Sequence, residues 1–284
     1  MKYQAKDDVL SEKDFKRVAS FVMGTAGIQL PKEKKFLVEG RLKRRLRELN
    51  ISSFSEYVDF TLASKQGLSE RLHLIDAITT NKTDFFREPE HFKFLENQLI
   101  PALANIRDAG WTRPLHCWSA ACSSGEEPYT LSIVLNELQR LHYPGLKFQI
   151  LATDISVSVL KIANQAIYPH DRIEPLSLAL RKQYLFRSKN RGRDDVRMSP
   201  QVRQPVTFKH MNLLTDAFTF SHPVDVIFCR NVMIYFSTED RMRLIRKFFT
   251  LLQPGGYLFI GHSETIKGFE GNLVQIAPTI YQKQ

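Results

Sequence analysis

The sequence predicts an all-α N-terminal domain followed by a doubly wound, Rossmann-like α/β domain with a small antiparallel β insertion. Two observations predict this arrangement. Apolar residues recur at helical spacing through the first part of the chain. From about residue 115, short apolar runs alternate with amphipathic runs, as strands alternate with helices in a parallel sheet covered on both faces. We therefore expect a helical domain over residues 1–80 and a sheet domain over residues 81–284.

Four helices are predicted for the first domain. Ser11–Asp14 has the form of a capping box, which marks the start of the first helix. Pro31 suits the first turn of the second helix, which runs to Asn50. Ser53–Glu56 repeats the cap signal, so a third short helix is predicted to about Lys65, and Leu68–Thr80 is predicted as one more helix.

Strands and helices then alternate along the second domain. The predicted strands are Leu115–Trp118, Phe148–Thr153, Val206–His210, Val224–Cys229 and Gly256–Gly261. The predicted helices are Glu127–Leu141, Ser156–Ala166 and Thr238–Leu252. Residues 184–208 lack helical periodicity and hold short apolar pairs around a basic stretch, so we predict an antiparallel hairpin insertion there.

The positive charge of the chain is local. The formal net charge is +10, and residues 31–50 hold eight Lys and Arg against three acids, while residues 181–210 hold nine against two. Two separate basic surfaces indicate two places for an acidic partner to dock. A basic helix would also bind phosphates, which leaves nucleic acid as an alternative partner. Few aromatic residues for base stacking occur in 31–50, and this argues against that alternative.

Cysteine content and hydropathy narrow the class of protein further. Cys117, Cys122 and Cys229 are odd in number and lack CxxC spacing, so we expect neither a disulfide framework nor a zinc site. A reducing, cytoplasmic setting follows as an expectation. No apolar run approaches the roughly 18 residues of a membrane span, so no direct membrane insertion is expected.

A tight turn of small residues, 119–125, follows the first predicted strand. It lacks the G-x-G-x-x-G pattern of a dinucleotide site. Glu126 and Glu127 would repel a pyrophosphate at this helix start, but they would suit the sulfonium and ammonium of S-adenosylmethionine. The alternative is that both acids only complement the helix dipole.

Three further polar residues end predicted strands. Asp154 follows the second strand, where an acid can accept the two ribose hydroxyls of a nucleoside, or can cap the next helix. Asn231 and Tyr235 follow the strand Val224–Cys229. Asn is also a common turn residue, so Asn231 is interpreted either as a polar residue of a ligand site or as part of the turn that ends the strand.

The segment 79–88, TTNKTDFFRE, joins the two predicted domains. Asn81, Thr83 and Arg87 surround the apolar pair Phe85 and Phe86. The segment is interpreted either as part of a binding site or as a linker that the two aromatic residues anchor.

Together these segments resemble the CheR-type chemotaxis receptor methyltransferases. The strings that carry the resemblance are TTNKTDFFRE, WSAACSSGEEPY, ATDIS, FCRNVMIYF and LLQPGGYLFIGHSE, in order between about residues 11 and 280. The resemblance implies a helical domain, a linker and an S-adenosylmethionine-dependent methyltransferase domain whose β-subdomain is the insertion at 184–208. It further implies methyl transfer to glutamate side chains on the cytoplasmic helices of membrane chemoreceptors, giving glutamyl methyl esters and S-adenosylhomocysteine.

The resemblance also assigns roles to residues. The residues implied at the cofactor are Asn81, Thr83, Arg87, Glu127, Asp154, Asn212, Leu213, Asn231 and Val232. Those implied at the reacting centre are Arg87 and Tyr235. Those implied at the receptor, on the basic second helix, are Arg41, Arg44, Arg45 and Arg47. In some members the β-subdomain binds a tethering peptide at the receptor C-terminus.

The implied chemistry needs neither a strong base nor a metal. A glutamate has a pKa of about 4.3 and is already ionised at pH 7, so we expect no catalytic His or Cys and no metal ion. The two alternatives to this function are a nucleic-acid methyltransferase and a non-catalytic S-adenosylmethionine-binding regulator. We further expect a monomer in the cytoplasm, recruited to membrane receptor arrays.

Overall fold

The computed structural model describes residues 9–106, 108–190, 192–218, 220 and 222–284. The first eight residues of the predicted helical domain lie outside this part. An all-helical part precedes a mostly parallel sheet flanked by helices, with a small antiparallel sheet beside it. The predicted fold class is therefore confirmed.

The helical part consists of α1 (Glu12–Ala26), α2 (Lys35–Leu49), α3 (Phe54–Ala63) and α4 (Leu68–Ile78). Ser11 and Ser53 cap α1 and α3, because each hydroxyl accepts the backbone N–H three residues further on. A 3-10 turn precedes α2, and Asn50 ends that helix in the left-handed conformation (φ 54°). The helices share a buried core that includes Phe15, Val18, Leu42, Leu46, Phe54 and Tyr57.

The strands of the described residues belong to two sheets. They are β1 (Leu115–Ala120), β2 (Phe148–Asp154), β3 (Ile167–Pro169), β4 (Leu185–Arg187), β5 (Asp195–Met198), β6 (Val206–His210), β7 (Val224–Cys229), β8 (Leu252–Ile260), β9 (Leu273–Ala277) and β10 (Ile280–Lys283). The large sheet has the order β6-β2-β1-β7-β8-β10-β9. Its first five strands are parallel, and β10 is antiparallel to both neighbours.

The remaining helices cover the large sheet or lie at its ends. They are α5 (Glu90–Phe94), α6 (Ile100–Ile106), α7 (Glu126–Leu141), α8 (Val157–Gln165), α9 (Leu178–Tyr184), α10 (Pro200–Arg203) and α11 (Thr238–Leu251). A π-helical turn, Leu95–Leu99, joins α5 to α6. Neighbouring residues of β7 show that both faces are covered: Phe228 belongs to one apolar cluster and Ile227 to the other.

The small sheet differs from the predicted hairpin at 184–208. Its order is β3-β5-β4, so it includes Ile167–Pro169, which lies upstream of the predicted insertion. Val206–His210 pairs instead with β2 in the large sheet. A three-residue strand that ends in proline is too short to give an alternating pattern, and this explains why the sequence did not indicate it.

Two hydrogen bonds connect the helical part to the loops at the carboxyl ends of the large sheet. The Asn212 side-chain amide donates to the carbonyl of Thr25, at the end of α1. The backbone N–H of Gln29 donates to the carbonyl of Tyr235 at 3.1 Å. The helical part therefore lies over the carboxyl ends of the strands, where doubly wound folds bind ligands.

The three cysteines are buried and unpaired, as expected. Burial raises the pKa of each thiol well above its ordinary value, so Cys117, Cys122 and Cys229 are inert packing residues. Within the described residues, no helix combines the length and the apolar character needed to cross a membrane.

Candidate active site

A cleft lies between the helical part and the carboxyl ends of β1, β2 and β7. Its volume is about 1230 Å³ including its open mouth, and the linker after α4 forms one of its walls. The predicted cofactor residues that line it are Asn81, Thr83, Arg87, Glu127, Asp154, Asn212, Leu213, Asn231 and Val232. Tyr235 lines it as well. The structure thus brings these predicted residues together around one cavity from five separate segments of the chain.

The turn after β1 forms one wall of the cleft. Ala121, Ser123 and Gly125 have left-handed φ angles of 62°, 49° and 97°. A Cβ added at Gly125 would lie 2.9 Å from the Cβ of Ala163, so only glycine fits there. The Ser123 hydroxyl donates to the carbonyl of Asn81 at 2.8 Å and so ties the linker to this turn.

Asp154, at the end of β2, has a fixed carboxylate. One oxygen accepts the N–H of Ser123 at 2.8 Å, and the other accepts the N–H of Ser156 at 2.9 Å. Burial raises the pKa of Asp154, while these two N–H groups act in the opposite direction. Each carboxylate oxygen has a further acceptor position. The side chain therefore holds the loop before α8 and can also accept hydroxyls from the cleft.

The two acids at the start of α7 have different environments. Glu126 is buried, accepting from Arg172 at 2.6 Å and from the Ser124 hydroxyl at 2.7 Å, and it does not line the cleft. Glu127 does line the cleft, and its Oε1 accepts the hydroxyl of Ser119 at 2.7 Å. Only Glu127 is therefore placed to meet a ligand.

Arg230, directly after β7, is a buried cation to which the sequence analysis gave no role. Its Nη1 donates to Glu127 Oε2 at 3.0 Å, and its Nη2 donates to Glu88 Oε2 at 3.0 Å and to the carbonyl of Arg87. Burial alone would raise the pKa of Glu88, but the charge of Arg230, together with hydrogen bonds from Asn231, Arg230 and the His262 backbone, lowers that pKa. An arginine that ends a buried strand needs acidic partners, and this was the signal in the sequence.

Glu88, His91 and His262 form a cluster whose ligand atoms lie within 4.8 Å of one another. His91 Nδ1 is 3.7 Å and His262 Nε2 is 4.0 Å from Glu88 Oε2. That same oxygen accepts two hydrogen bonds from Arg230. Burial, assisted by the charge of Arg230, lowers the pKa of His91 to about 3. A metal ion here would meet a guanidinium at contact distance, which is electrostatically unfavourable.

Arg87 and Tyr235 present uncommitted polar groups to the cleft. The Arg87 guanidinium donates to the carbonyl of Lys82 at 3.0 Å, and none of the described carboxylates forms an ion pair with it. For the Tyr235 hydroxyl, no hydrogen-bond partner occurs in the described part of the chain. Lys34 Nζ lies 5.5 Å from the centre of the Tyr235 ring. These groups are available to a carboxylate.

Glu264 holds the loop that carries Asn231 and Tyr235. Its Oε2 accepts the N–H groups of Gly261 and Asn231 at 2.6 and 3.0 Å, and its Oε1 accepts that of Met233 at 2.7 Å. Asn231 has a left-handed φ of 58°, which such external bonds stabilise. Burial raises the pKa of Glu264, and the three N–H groups oppose that rise.

Glu264→Gln should lower the free energy of unfolding by about 2 kcal/mol, because an amide has only one oxygen for three backbone donors. The pH dependence should change as well. The folded wild type keeps the Glu264 proton at pH values where the unfolded chain has released it, so its stability falls as pH rises from the ordinary glutamate pKa of 4.5 towards the raised value. Denaturant unfolding across that pH range measures both effects.

Glu270→Gln serves as the control, because Glu270 is an exposed acid on the loop between β8 and β9 that also carries Glu264. Its stability and pH profile should match the wild type. An unchanged profile in Glu264→Gln would contradict the structural role given to Glu264.

Asn212, Leu213 and Val232 complete the lining of the cleft. The Asn212 amide is held in place, because its nitrogen donates one N–H to the carbonyl of Thr25 and its oxygen accepts the N–H of Leu214 at 3.0 Å. Leu213 is buried, and Val232 is partly buried against the same apolar cluster. Leu213 and Val232 can shape a cavity and offer a ligand their backbone groups, and Asn212 keeps a second amide N–H.

The four arginines of α2 divide into two pairs. Arg41 donates to the carbonyls of Ile78 and Thr79 and so anchors the linker. Arg45 forms a bidentate pair with buried Glu70, with distances of 2.8 and 2.7 Å. The other two are exposed: the Arg44 side chain is 81% exposed, and among the described residues the Arg47 side chain bonds only within its own helix.

Two family models match this chain. The model described as "CheR methyltransferase, SAM binding domain" matches residues 81–281, and "CheR methyltransferase, all-alpha domain" matches residues 13–79. A chemotaxis protein methyltransferase of Borreliella burgdorferi is 42% identical over 275 residues, covering 96% of this chain and 95% of the relative.

Two further relatives are similar over nearly their whole length. Chemotaxis protein methyltransferase 2 of Pseudomonas aeruginosa is 38% identical, with 95% of this chain and 93% of the relative covered. The chemotaxis protein methyltransferase of Escherichia coli is 36% identical, with 96% and 91% covered. The two family models together cover the helical part and the sheet that enclose the cleft. The chain belongs to the CheR methyltransferase family.

Proposed function

We propose that this chain transfers a methyl group from S-adenosylmethionine to glutamate carboxylates of chemoreceptors, giving glutamyl methyl esters and S-adenosylhomocysteine. The observation that carries the proposal is the charge arrangement of the cleft. Fixed carboxylates of Glu127 and Asp154 lie on its sheet side, and uncommitted Arg87 and Tyr235 also face it. The similarity to chemotaxis protein methyltransferases supports the same activity.

The cleft residues fit this cofactor in charge and shape. Asp154 would accept the ribose hydroxyls, and Glu127 would accept the ammonium group. Gly125 does not line the cleft, but its lack of a side chain lets the turn after β1 pack closely against Ala163. S-adenosylmethionine, when bound, supplies a methyl group on a positively charged sulfur. Asn81, Thr83, Leu213, Asn231 and Val232 would complete the walls, and no metal would be needed.

The receptor glutamate needs alignment rather than activation. Its carboxylate is ionised at pH 7. A carboxylate oxygen forms the bond to the methyl carbon while the carbon–sulfur bond breaks, and its electron pair goes to sulfur. Arg87 would bind the carboxylate of the cofactor and orient the receptor carboxylate through its planar guanidinium, and Tyr235 would donate a hydrogen bond to the receptor carboxylate. Holding these groups in line contributes up to about 7–11 kcal/mol to such reactions.

The exposed arginines of α2 would meet the receptor. Arg44→Gln with Arg47→Gln should raise the KM for a receptor substrate about three- to tenfold at low salt, since exposed charges contribute modestly and are screened. Cofactor affinity should not change. Steady-state kinetics at two ionic strengths measure the effect.

Arg45→Gln is the matched comparison, because it removes the same charge from the same helix. It leaves Glu70 buried without its cation, so the free energy of unfolding should fall by about 3 kcal/mol. The receptor KM of the folded variant should stay near the wild-type value. A large rise in KM for Arg45→Gln alone would reverse the roles that we give to the two pairs.

A receptor tethering peptide would add to the free edge of the small sheet. β4 is an edge strand, and Phe186 on it is 57% exposed. Exposed edges accept extended peptides through backbone hydrogen bonds. We propose that this contact, together with α2, recruits a monomeric cytoplasmic enzyme to membrane receptor arrays.

The test of the proposed function is transfer of radiolabelled methyl from S-adenosylmethionine to membranes that contain chemoreceptors. Label on the receptor that mild base releases, and that Asp154→Ala fails to transfer, is the expected result. Cofactor binding without transfer to any receptor would favour a non-catalytic regulator. Base-stable label on RNA or DNA would favour a nucleic-acid methyltransferase.

A further inference from the structure

Arg230 connects three chain segments at the floor of the cleft. Its side chain is 2% exposed, and its guanidinium bonds to the start of α7 through Glu127, and to the linker through Glu88 and the carbonyl of Arg87. The guanidinium carbon also lies 5.7 Å from the centre of the Phe92 ring. One cation thus serves two carboxylates, which leaves a net negative charge beside the cleft.

The first consequence concerns Glu127. Ser119 occupies one of its oxygens and Arg230 the other, at 2.7 and 3.0 Å. The side chain is therefore held in one orientation, while each oxygen keeps a second acceptor position. Without Arg230, Glu127 would keep a single hydrogen bond and could turn away from the cleft.

The second consequence concerns the backbone that carries Arg87. Phe86 and Glu88, on either side of it, have left-handed φ angles of 53° and 54°. Such conformations in residues other than glycine persist only where surrounding contacts hold them. Arg230 supplies such contacts through the Arg87 carbonyl and Glu88 Oε2, beside the bonds from the Phe86 N–H to Thr130 and from Asn231 and the His262 backbone to Glu88 Oε1.

We propose that Arg230 is a positioning residue for the amino-acid end of S-adenosylmethionine, acting through Glu127 and the backbone of Arg87. The inference rests on the proposed function. It implies that the loss of Arg230 weakens binding of the ammonium and carboxylate of the cofactor. Recognition of adenine and ribose, which depends on Asp154 and the turn after β1, should be unaffected.

The test compares two ligands by calorimetry, using wild type, Arg230→Gln and Arg230→Lys. S-adenosylhomocysteine has the complete amino-acid end, whereas 5′-methylthioadenosine keeps adenine, ribose and a thioether and lacks that end. We expect Arg230→Gln to weaken S-adenosylhomocysteine binding at least about tenfold, the value of one charged hydrogen bond, and 5′-methylthioadenosine binding less than about twofold. Arg230→Lys, which keeps the charge without the planar fork, should give an intermediate ratio.

Arg113→Gln is the matched control, because Arg113 pairs bidentately with buried Asp225 at the amino ends of β1 and β7, opposite the cleft. General destabilisation lowers the folded fraction for both ligands alike, so the control should leave their affinity ratio unchanged. Equal losses of both ligands in the folded Arg230 variants, or no loss of either, would overturn the inference. Failure of the wild type to bind S-adenosylhomocysteine would instead overturn the proposed function itself.

Discussion

Asp154→Asn should weaken S-adenosylhomocysteine binding by about 100-fold or more. The carboxylate is proposed to accept two ribose hydroxyls, and each hydrogen bond to a charged group contributes about 1.5–3 kcal/mol. The amide also turns an N–H group towards one of the backbone donors, Ser123 or Ser156, which now bond to the carboxylate. Isothermal calorimetry of the folded variant measures the loss.

Asp225→Asn provides the control, because Asp225 is also 6% exposed and lies in a strand of the same sheet. It bonds to Arg113 and to the N–H of His116, away from the cleft. We expect lower stability and unchanged cofactor affinity. An Asp154→Asn variant that binds as tightly as wild type would mean that Asp154 only holds the loop before α8.

Arg87→Met should lower kcat/KM for receptor methylation about 100-fold, the effect of misplacing a reacting group by about 1 Å. Stability should change by less than about 0.5 kcal/mol, because Arg87 forms no ion pair with any described residue and its guanidinium makes one bond to a carbonyl. Single-turnover methyl transfer and thermal unfolding together separate the chemical effect from a folding effect.

Two further variants test whether the loss of rate is specific to the Arg87 guanidinium. Arg87→Lys keeps the charge but loses the planar fork, so it should recover only part of the rate. Arg140→Gln removes an exposed arginine near the far end of α7, where it pairs with Glu137, and should behave as wild type. If Arg87→Met turns over normally, Arg87 neither positions the receptor carboxylate nor holds the cofactor.

Regular, locally encoded elements of the fold could be predicted from the sequence. The caps at Ser11 and Ser53 were predicted because each places a hydroxyl three residues before its N–H donor. Val224–Cys229 has its predicted bounds because a strand buried on both faces is a continuous apolar run. In contrast, β8 begins at Leu252, ahead of the predicted Gly256, since Pro254 and its two glycines mask the pattern.

The candidate site could be predicted only where one residue carries the signal. Asp154 ends an apolar strand and Asn231 follows one, so both could be singled out, although Asp154 also fitted a helix cap and Asn231 a turn. Arg230 and Glu264 bond to groups from other segments, at separations of up to 143 residues along the chain. Such pairings depend on tertiary structure, and no periodic pattern in the sequence indicates them. The division of the α2 arginines into anchoring and exposed pairs was hidden for the same reason.

The most direct test of the central claim is to locate the transferred methyl group by peptide mapping of a methylated receptor. The chain should place it on glutamate side-chain oxygens, and mild base should restore the free carboxylate. A methyl group found on lysine, arginine or another base-stable position would contradict the mechanism, because those nucleophiles need a base that the cleft described here is not proposed to supply.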